Sequence, residues 1–340
     1  MRSHEPLARW TTLRLGGPAE RFLEVDTRAD LYDAVARADA TGEELLVIGG
    51  GSNLVVADEG FAGAVVRAAS SGVVVDDHAA GSVSITVEAG EDWERLAARA
   101  VAEGWSGLEA LSGIPGSVGA VPIQNVGAYG QEVSDTIVAV HVFDRSDKQA
   151  ATLSAAQCDF GYRTSVFKRA PGRYVVGAVT FRLARSVDGA PVRYGELARQ
   201  LGVAAGERAP AGEVRDAVLR LRRAKGMVLA DDDHDTWSVG SFFTNPIVPA
   251  ADLPAGAPSF SQPDGRVKTS AAWLIEHAGL ERGYGGEHVS LSTKHPLALT
   301  NRGGATTAEL LALARDVRDR VQQASGIRLD PEPTLVNCAL

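Results

Sequence analysis

Cysteine is scarce in this chain, with Cys158 and Cys338 the only two among 340 residues. They make no CxxC pair and no disulfide lattice, which predicts a reducing compartment. Positive charge is also short, with 34 Lys and Arg against 43 Asp and Glu and a formal net charge of −9. Nucleic-acid binders carry a basic stripe, so no nucleic-acid partner is predicted, although a locally basic pocket is compatible with this balance. No window approaches 18 uncharged apolar residues, so no membrane span is expected. The opening MRSHEPLARWTTLRLGG has no apolar segment ahead of a cleavage site and predicts no secretion signal. The expectation is a soluble, cytoplasmic protein. Several catalytic signatures are missing as well. No HExxH occurs, and His4, His78, His141, His234, His277, His288 and His295 form no close triad, so no metal site is expected. No GxSxG elbow marks a serine nucleophile.

What the chain does have is apolar mass and glycine. An apolar fraction of 45% supports a folded chain with a sizeable core, and the length suits about two domains. Glycine numbers 37, about 11% against an average near 7%. These glycines cluster without the triplet repeat of collagen, and seven fall between Gly104 and Gly130. Such clusters serve close backbone approaches and left-handed dihedrals, around a ligand or simply in turns.

Periodicity predicts a helix after Thr27, capped by that residue, with Leu31, Ala34, Val35 and Ala38 inward. Strands are predicted at Leu45–Ile48, 54–56, 64–66 and 83–87, then a helix from Asp92 to Glu103. Further strands are expected at 137–143 and 174–183, followed by a linker with local structure from 184 to 208. Helices are predicted over 213–225, 270–278 and 307–324, with Leu310, Leu313, Val317 and Val321 at helical spacing in the last. The acidic run 231–235, including His234 and Asp235, reads as a solvated loop.

Several segments carry candidate chemistry. Gly49-Gly50-Gly51-Ser52-Asn53-Leu54 follows a strand, but it fails the GxGxxG dinucleotide fingerprint, and no acidic ribose partner stands about 20 residues on. It is either a turn whose N–H groups and Ser52 and Asn53 meet a diphosphate or ribose, or a plain turn. SGIPGSVGA at 112–120 is a second candidate cradle. Pro115 fixes one dihedral there, while Gly113, Gly116 and Gly119 permit close approach. Gln124 and Asn125 offer amides to the edge of a heterocycle, and a bulky two-part cofactor would engage both segments. Arg163 suits a carboxylate or an ordinary surface. Glu332, between two prolines, is aimed inward or lies in a solvent-facing turn. Ser241 in VGSFFTNP has a sheltered setting suited to a proton donor. Lys225, Asn245, Lys268 and Lys294 are candidate phosphate contacts, and Tyr194 packs on a ligand or closes a core edge.

In chain order, TTLRLGGPA (11–19), VIGGGSNLVV (47–56), GLEALSGIPGSVGAVPIQNVGAYGQEV (107–133), FGYRTSVFK (160–168), RYGEL (193–197), GSFFTNP (240–246), AAWLIEHAGL (271–280) and LDPE (329–332) span nearly the whole chain. This ordered set resembles the UDP-N-acetylenolpyruvoylglucosamine reductase family of peptidoglycan precursor synthesis. The resemblance implies an α+β fold: an FAD-binding region of the vanillyl-alcohol-oxidase type in two subdomains, then an α+β substrate-binding domain. The corresponding divisions here are 17–184, 185–204 with a substrate-closing tyrosine loop, and 205–338. FAD would be bound by Gly49, Gly50, Gly51, Ser52, Asn53, Leu54, Ser112, Gly113, Ile114, Pro115, Gly116, Gly119, Ala120, Gln124, Asn125, Gly127 and Gly130. NADPH would be the hydride-donating cosubstrate. UDP-N-acetylglucosamine enolpyruvate would contact Tyr162, Tyr194, Lys225, Asn245 and His295. Arg163, Ser241 and Glu332 would carry the chemistry, with Ser241 as proton donor and the other two steadying negative charge. A monomer is expected. The rivals are a flavin oxidase on the same scaffold and a nucleotide-sugar binding protein without turnover.

Overall fold

The computed structural model describes residues 1–76 and 81–340. The chain divides into two compact units, each drawn from several stretches. The first comprises residues 1–5, 19–50 and 62–223, and the second 6–18, 51–61 and 224–340.

Two sheets organise the first unit. One has the strand order Arg2–Pro6, Pro18–Val25, Phe61–Ala68, Leu45–Ile48, the last two parallel. The helix Arg28–Thr41 follows its second strand. Thr27 caps it by accepting the Asp30 amide, and Gly42 ends it in the left-handed conformation. The buried residues of that helix are the predicted Leu31, Ala34, Val35 and Ala38. The other sheet is antiparallel, built on Tyr174–Arg185 between Ile137–Asp144 and Ser82–Glu88. Ser82–Glu88 alternates half-buried and buried positions, which follows from the period-two pattern of Val83, Ile85 and Val87. Helix Trp93–Ala102 puts Trp93 and Leu96 into the same core. Gln149–Ser154, a mostly exposed edge strand, has no apolar alternation and was not predicted.

The stretch expected to be a linker is instead packed. Helix Gly195–Leu201 lies within it, and Val192, Leu197, Ala198 and Ala209 are buried with Val214, Ala217 and Val218 of helix Ala211–Ala224. Its apolar residues are few and spread across two short elements, so no single window shows a period.

The second unit surrounds helix Thr307–Ser325, whose Leu310, Ala314, Val317 and Val321 are fully buried. Leu13, Leu15 and Val55 belong to this core. Strand Leu54–Val56 pairs in parallel with Thr334–Val336, in the register Val56 to Val336. Helix Ala271–His277 is capped by Ser270. No helix among the described residues is long and apolar enough to cross a membrane.

Candidate active site

In the first unit, Gly49 and Gly50 are in direct contact with the 112–120 loop. A Cβ on Gly50 would stand 2.7 Å from the Gly116 Cα, and one on Gly49 would stand 2.0 Å from the Ser117 Oγ. Both distances are below any real Cβ contact; at Gly50 the neighbour is backbone, so glycine is required there, whereas at Gly49 the Ser117 hydroxyl would have to turn away. Part of the glycine surplus therefore serves the close approach of one loop to the other. The 112–120 loop is held from behind by the helix Trp93–Ala102. The Trp93 indole donates to the Leu111 carbonyl at 3.0 Å, its amide donates to the Gly116 carbonyl at 3.1 Å, and the Glu94 carboxylate accepts the Gly113 amide. Glu94 also pairs with Arg215 on helix Ala211–Ala224. Ser112 is fully buried, and its hydroxyl has no hydrogen-bond partner among the described residues. An orphaned buried hydroxyl is costly and implies a polar partner from a bound group.

Arg163 is half-buried at φ 51°. Its guanidinium donates to the carbonyls of Asn125 and Gly127, and it lies over the Tyr162 ring at 5.5 Å. A Cβ on Gly127 would come within 3.1 Å of Arg163 Nη1. The turn expected near the cofactor is thus also the seat of this arginine, and the surface reading of Arg163 does not hold. Asn125 is 1% exposed. Its amide donates to Glu132 at 2.7 Å and to the Gly161 carbonyl at 3.1 Å, while its oxygen accepts the Ser134 amide. That side chain is committed internally, and its carbonyl already accepts from Arg163, so the expected amide contact to a heterocycle has no free group at Asn125.

Tyr194 is 42% exposed and meets Tyr129 edge to face, with ring centroids 5.5 Å apart. Burial pushes the Tyr129 phenol up to about 12, with Arg222 opposing the shift. Arg222 is itself pulled below its ordinary value by burial, against the pull of Tyr129 and Glu94. Tyr129, Glu94 and Arg222 were not singled out in the sequence. The only signal for Tyr129 was its place inside GAYG.

In the second unit, the segment carrying Ser241 is laced to the one carrying Glu332. The Glu332 amide donates to the Phe242 carbonyl at 2.8 Å, the Thr244 amide donates to the Asp330 carbonyl at 3.0 Å, and Phe243 bridges to Pro331. Phe242 and Phe243 are buried at 0% and 1% exposure. They anchor the half-buried Ser241, which follows Gly240 at φ 75°. Asn245 accepts the Ala271 amide at 2.9 Å, and the His295 amide donates to the Ser292 hydroxyl. Gly51 sits at φ 61°, and a Cβ there would stand 1.8 Å from the Trp10 carbonyl oxygen. The Asn53 carbonyl accepts the Thr334 amide at 3.0 Å. Lys225 belongs to this unit.

The acidic run departs from expectation at Asp235, which is 4% exposed. Burial works against its charge. The hydroxyl and amide of Thr293, the Ser292 hydroxyl and the Arg302 guanidinium outweigh that, holding its carboxyl below the usual carboxylate range. No group of three metal-ligating side chains occurs among the described residues, and His78 lies outside them.

A profile of the UDP-N-acetylenolpyruvoylglucosamine reductase C-terminal domain matches residues 232–336, and a profile of an FAD binding domain matches 19–152. The chain is 55% identical to the UDP-N-acetylenolpyruvoylglucosamine reductase of Thermobifida fusca, covering 98% of both chains. It belongs to the UDP-N-acetylenolpyruvoylglucosamine reductase family. The reductase of Cutibacterium acnes is 52% identical, over 98% of this chain and 90% of that one. The crystal structure of the Thermus caldophilus reductase superposes with a TM-score of 0.65 at 27% identity, covering 97% of each chain. As a family member, the protein is a flavin oxidoreductase of mixed helix and strand with an FAD binding domain. The cradle fits that cofactor, given the contact between its two glycine-rich loops and the orphaned Ser112 hydroxyl.

Proposed function

We propose that this reductase converts UDP-N-acetylglucosamine enolpyruvate to UDP-N-acetylmuramate at the expense of NADPH, as a cytoplasmic monomer. The family membership over 98% of the chain carries the reading. FAD, when bound at 49–54 and 112–120, supplies the two-electron relay between the nicotinamide and the vinyl ether. The remaining roles fall to side chains of this chain. Arg163, preset by the carbonyls of Asn125 and Gly127, pairs with the enolpyruvyl carboxylate and stabilises the charge that grows there. Glu332, as the protonated acid, meets the enolate-like charge with a hydrogen bond. Such preorganised donors are commonly worth roughly 3–4 kcal/mol each. Ser241 donates a proton to C2. An aliphatic hydroxyl is a weak acid, but a strongly basic carbanion held at close range makes the transfer feasible. Tyr162, Tyr194, Lys225, Asn245 and His295 contact the nucleotide sugar, Tyr194 from a loop that closes over it. The functional division is 17–184 for FAD, 185–204 for the tyrosine loop and 205–338 for substrate.

Anaerobic addition of NADPH to the purified yellow protein should bleach the flavin band, and UDP-N-acetylglucosamine enolpyruvate should then restore it with formation of UDP-N-acetylmuramate. Bleaching by an alcohol donor with oxygen uptake, and no response to NADPH, would instead assign an oxidase.

A further inference from the structure

Asp235 has no part in the proposed reaction, yet its contacts run to the segment that carries Ser241. Its carboxylate is 4% exposed and lies in the second unit. One oxygen accepts the Thr293 amide at 2.9 Å and the Arg302 guanidinium at 2.8 Å, and the other accepts the Thr293 hydroxyl at 2.5 Å. The fully buried Ser292 hydroxyl also bonds to it, and that hydroxyl accepts the amides of Lys294 at 3.0 Å and His295 at 3.3 Å. These residues open the turn between strands Val289–Leu291 and Leu299–Asn301. The Ser292 amide closes the turn by donating to the Ala298 carbonyl at 2.8 Å.

The far end of the same turn holds the residue next to Ser241. The Phe242 amide donates to the Leu297 carbonyl at 2.7 Å. On the other side of Ser241, the Asn301 amide donates to the Trp237 carbonyl at 3.0 Å, so the hairpin grips the Ser241 segment at both ends. Replacing a buried ion pair by packed apolar residues is often neutral in stability, so stability alone gives little reason for a carboxylate at 235. Orientation gives a stronger one. A fully satisfied buried polar network holds its members in one arrangement, and here the network is the turn on which Phe242 hangs. We propose that Asp235 is a positioning residue for proton transfer, fixing the placement of Ser241 through the 292–298 turn. The inference rests on the reading of Ser241 as the proton donor. A reacting group displaced by about 1 Å loses on the order of a hundredfold in rate, so a small shift of this turn is enough to matter.

The test follows both half-reactions of the FAD-loaded full-length enzyme by stopped-flow absorbance, in wild type, Asp235→Asn, Thr293→Val, Thr293→Ser and Ser241→Ala. Thr293→Val removes one hydroxyl at nearly constant shape, and Thr293→Ser returns it. Asp235→Asn should lower the limiting rate of reoxidation by UDP-N-acetylglucosamine enolpyruvate about ten- to a hundredfold. Thr293→Val should lower it in the same direction and Thr293→Ser should restore it, with bleaching by NADPH unchanged throughout. A merely structural role would lower the melting temperature and leave these rate constants alone, because the flavin signal reads only molecules that have kept FAD. Unaltered reoxidation would overturn the proposal. So would equal slowing of both half-reactions, or a rise only in the substrate concentration for half-maximal rate. If Asp235→Asn does not retain FAD, the two threonine variants decide by the same criteria. Wild-type reoxidation by Ser241→Ala would overturn the donor assignment and the proposal with it. Loss in Ser241→Ala with none in Asp235→Asn or Thr293→Val would overturn the positioning role alone.

Discussion

Arg163 and Ser241 reach comparable settings by opposite routes. Arg163 is fixed by its own left-handed backbone and two carbonyl acceptors, while Ser241 is fixed by the buried phenylalanines that follow it. Ser241→Ala should retain FAD and still bleach with NADPH, yet lose reoxidation by the enolpyruvyl substrate by about 10²–10⁴-fold. Stopped-flow absorbance at the flavin band separates the two half-reactions. Glu332→Gln should cost less, because the amide still donates, and the reverse order would make Glu332 the principal proton donor. Asp235 gives a pH prediction. Its folded carboxyl ionises below its ordinary value, so its stabilisation is complete above about pH 4 and is lost as the pH falls toward the folded value. The stability gap between wild type and Asp235→Asn, read from urea midpoints, should therefore be full at neutral pH and shrink on acidification. Local sequence showed Arg163, Ser241 and Glu332 as chemically suitable types, but it misread Asp235. Its partners Thr293 and Arg302 lie some 60 positions downstream, and a run of acids carries no local sign that one member is buried.

At the scale of elements, the glycine loops and the helix behind them act together. Gly50→Ala forces a Cβ against Gly116 backbone that has no flexible end to yield. A loss of about 1–3 kcal/mol is expected, as for other overpacked sites. FAD affinity should fall with it, measured by flavin fluorescence on dilution. Glu94→Gln keeps the shape but removes the charge that holds both the Gly113 amide and Arg215. Charge-assisted bonds are worth about 1.5–3 kcal/mol, so FAD should dissociate about tenfold more readily, while the loaded enzyme keeps its flavin spectrum. Helices were legible where apolar spacing and a cap coincided, as at Thr27 and Ser270. Gln149–Ser154 was not, since an exposed edge strand owes its existence to the neighbour it pairs with.

At the scale of the molecule, the second unit is not contiguous in the chain. Leu13, Leu15 and Val55 complete its core, and Leu54–Val56 supplies the partner of Thr334–Val336. A fragment of residues 205–338 should therefore lack a cooperative thermal transition and should bind a hydrophobic dye. Coexpression with residues 1–61 is the control that should restore folding. No sequence window contains this interleaving, because it depends on pairing across most of the chain. The net charge of −9 likewise says little about any one site, since Arg163 is set by the carbonyls of Asn125 and Gly127 and not by the average over the chain.

The parallel pairing of Leu54–Val56 with Thr334–Val336 also sets a clock on synthesis. At about 5–20 residues per second, the ribosome adds the partner strand roughly 14–56 s after the first is made. Throughout that interval Leu13, Leu15 and Val55 have no finished core to enter. The nascent protein therefore carries an unsatisfied apolar surface near its beginning until translation is almost over, which makes it a natural client for chaperones that wait at the ribosome exit.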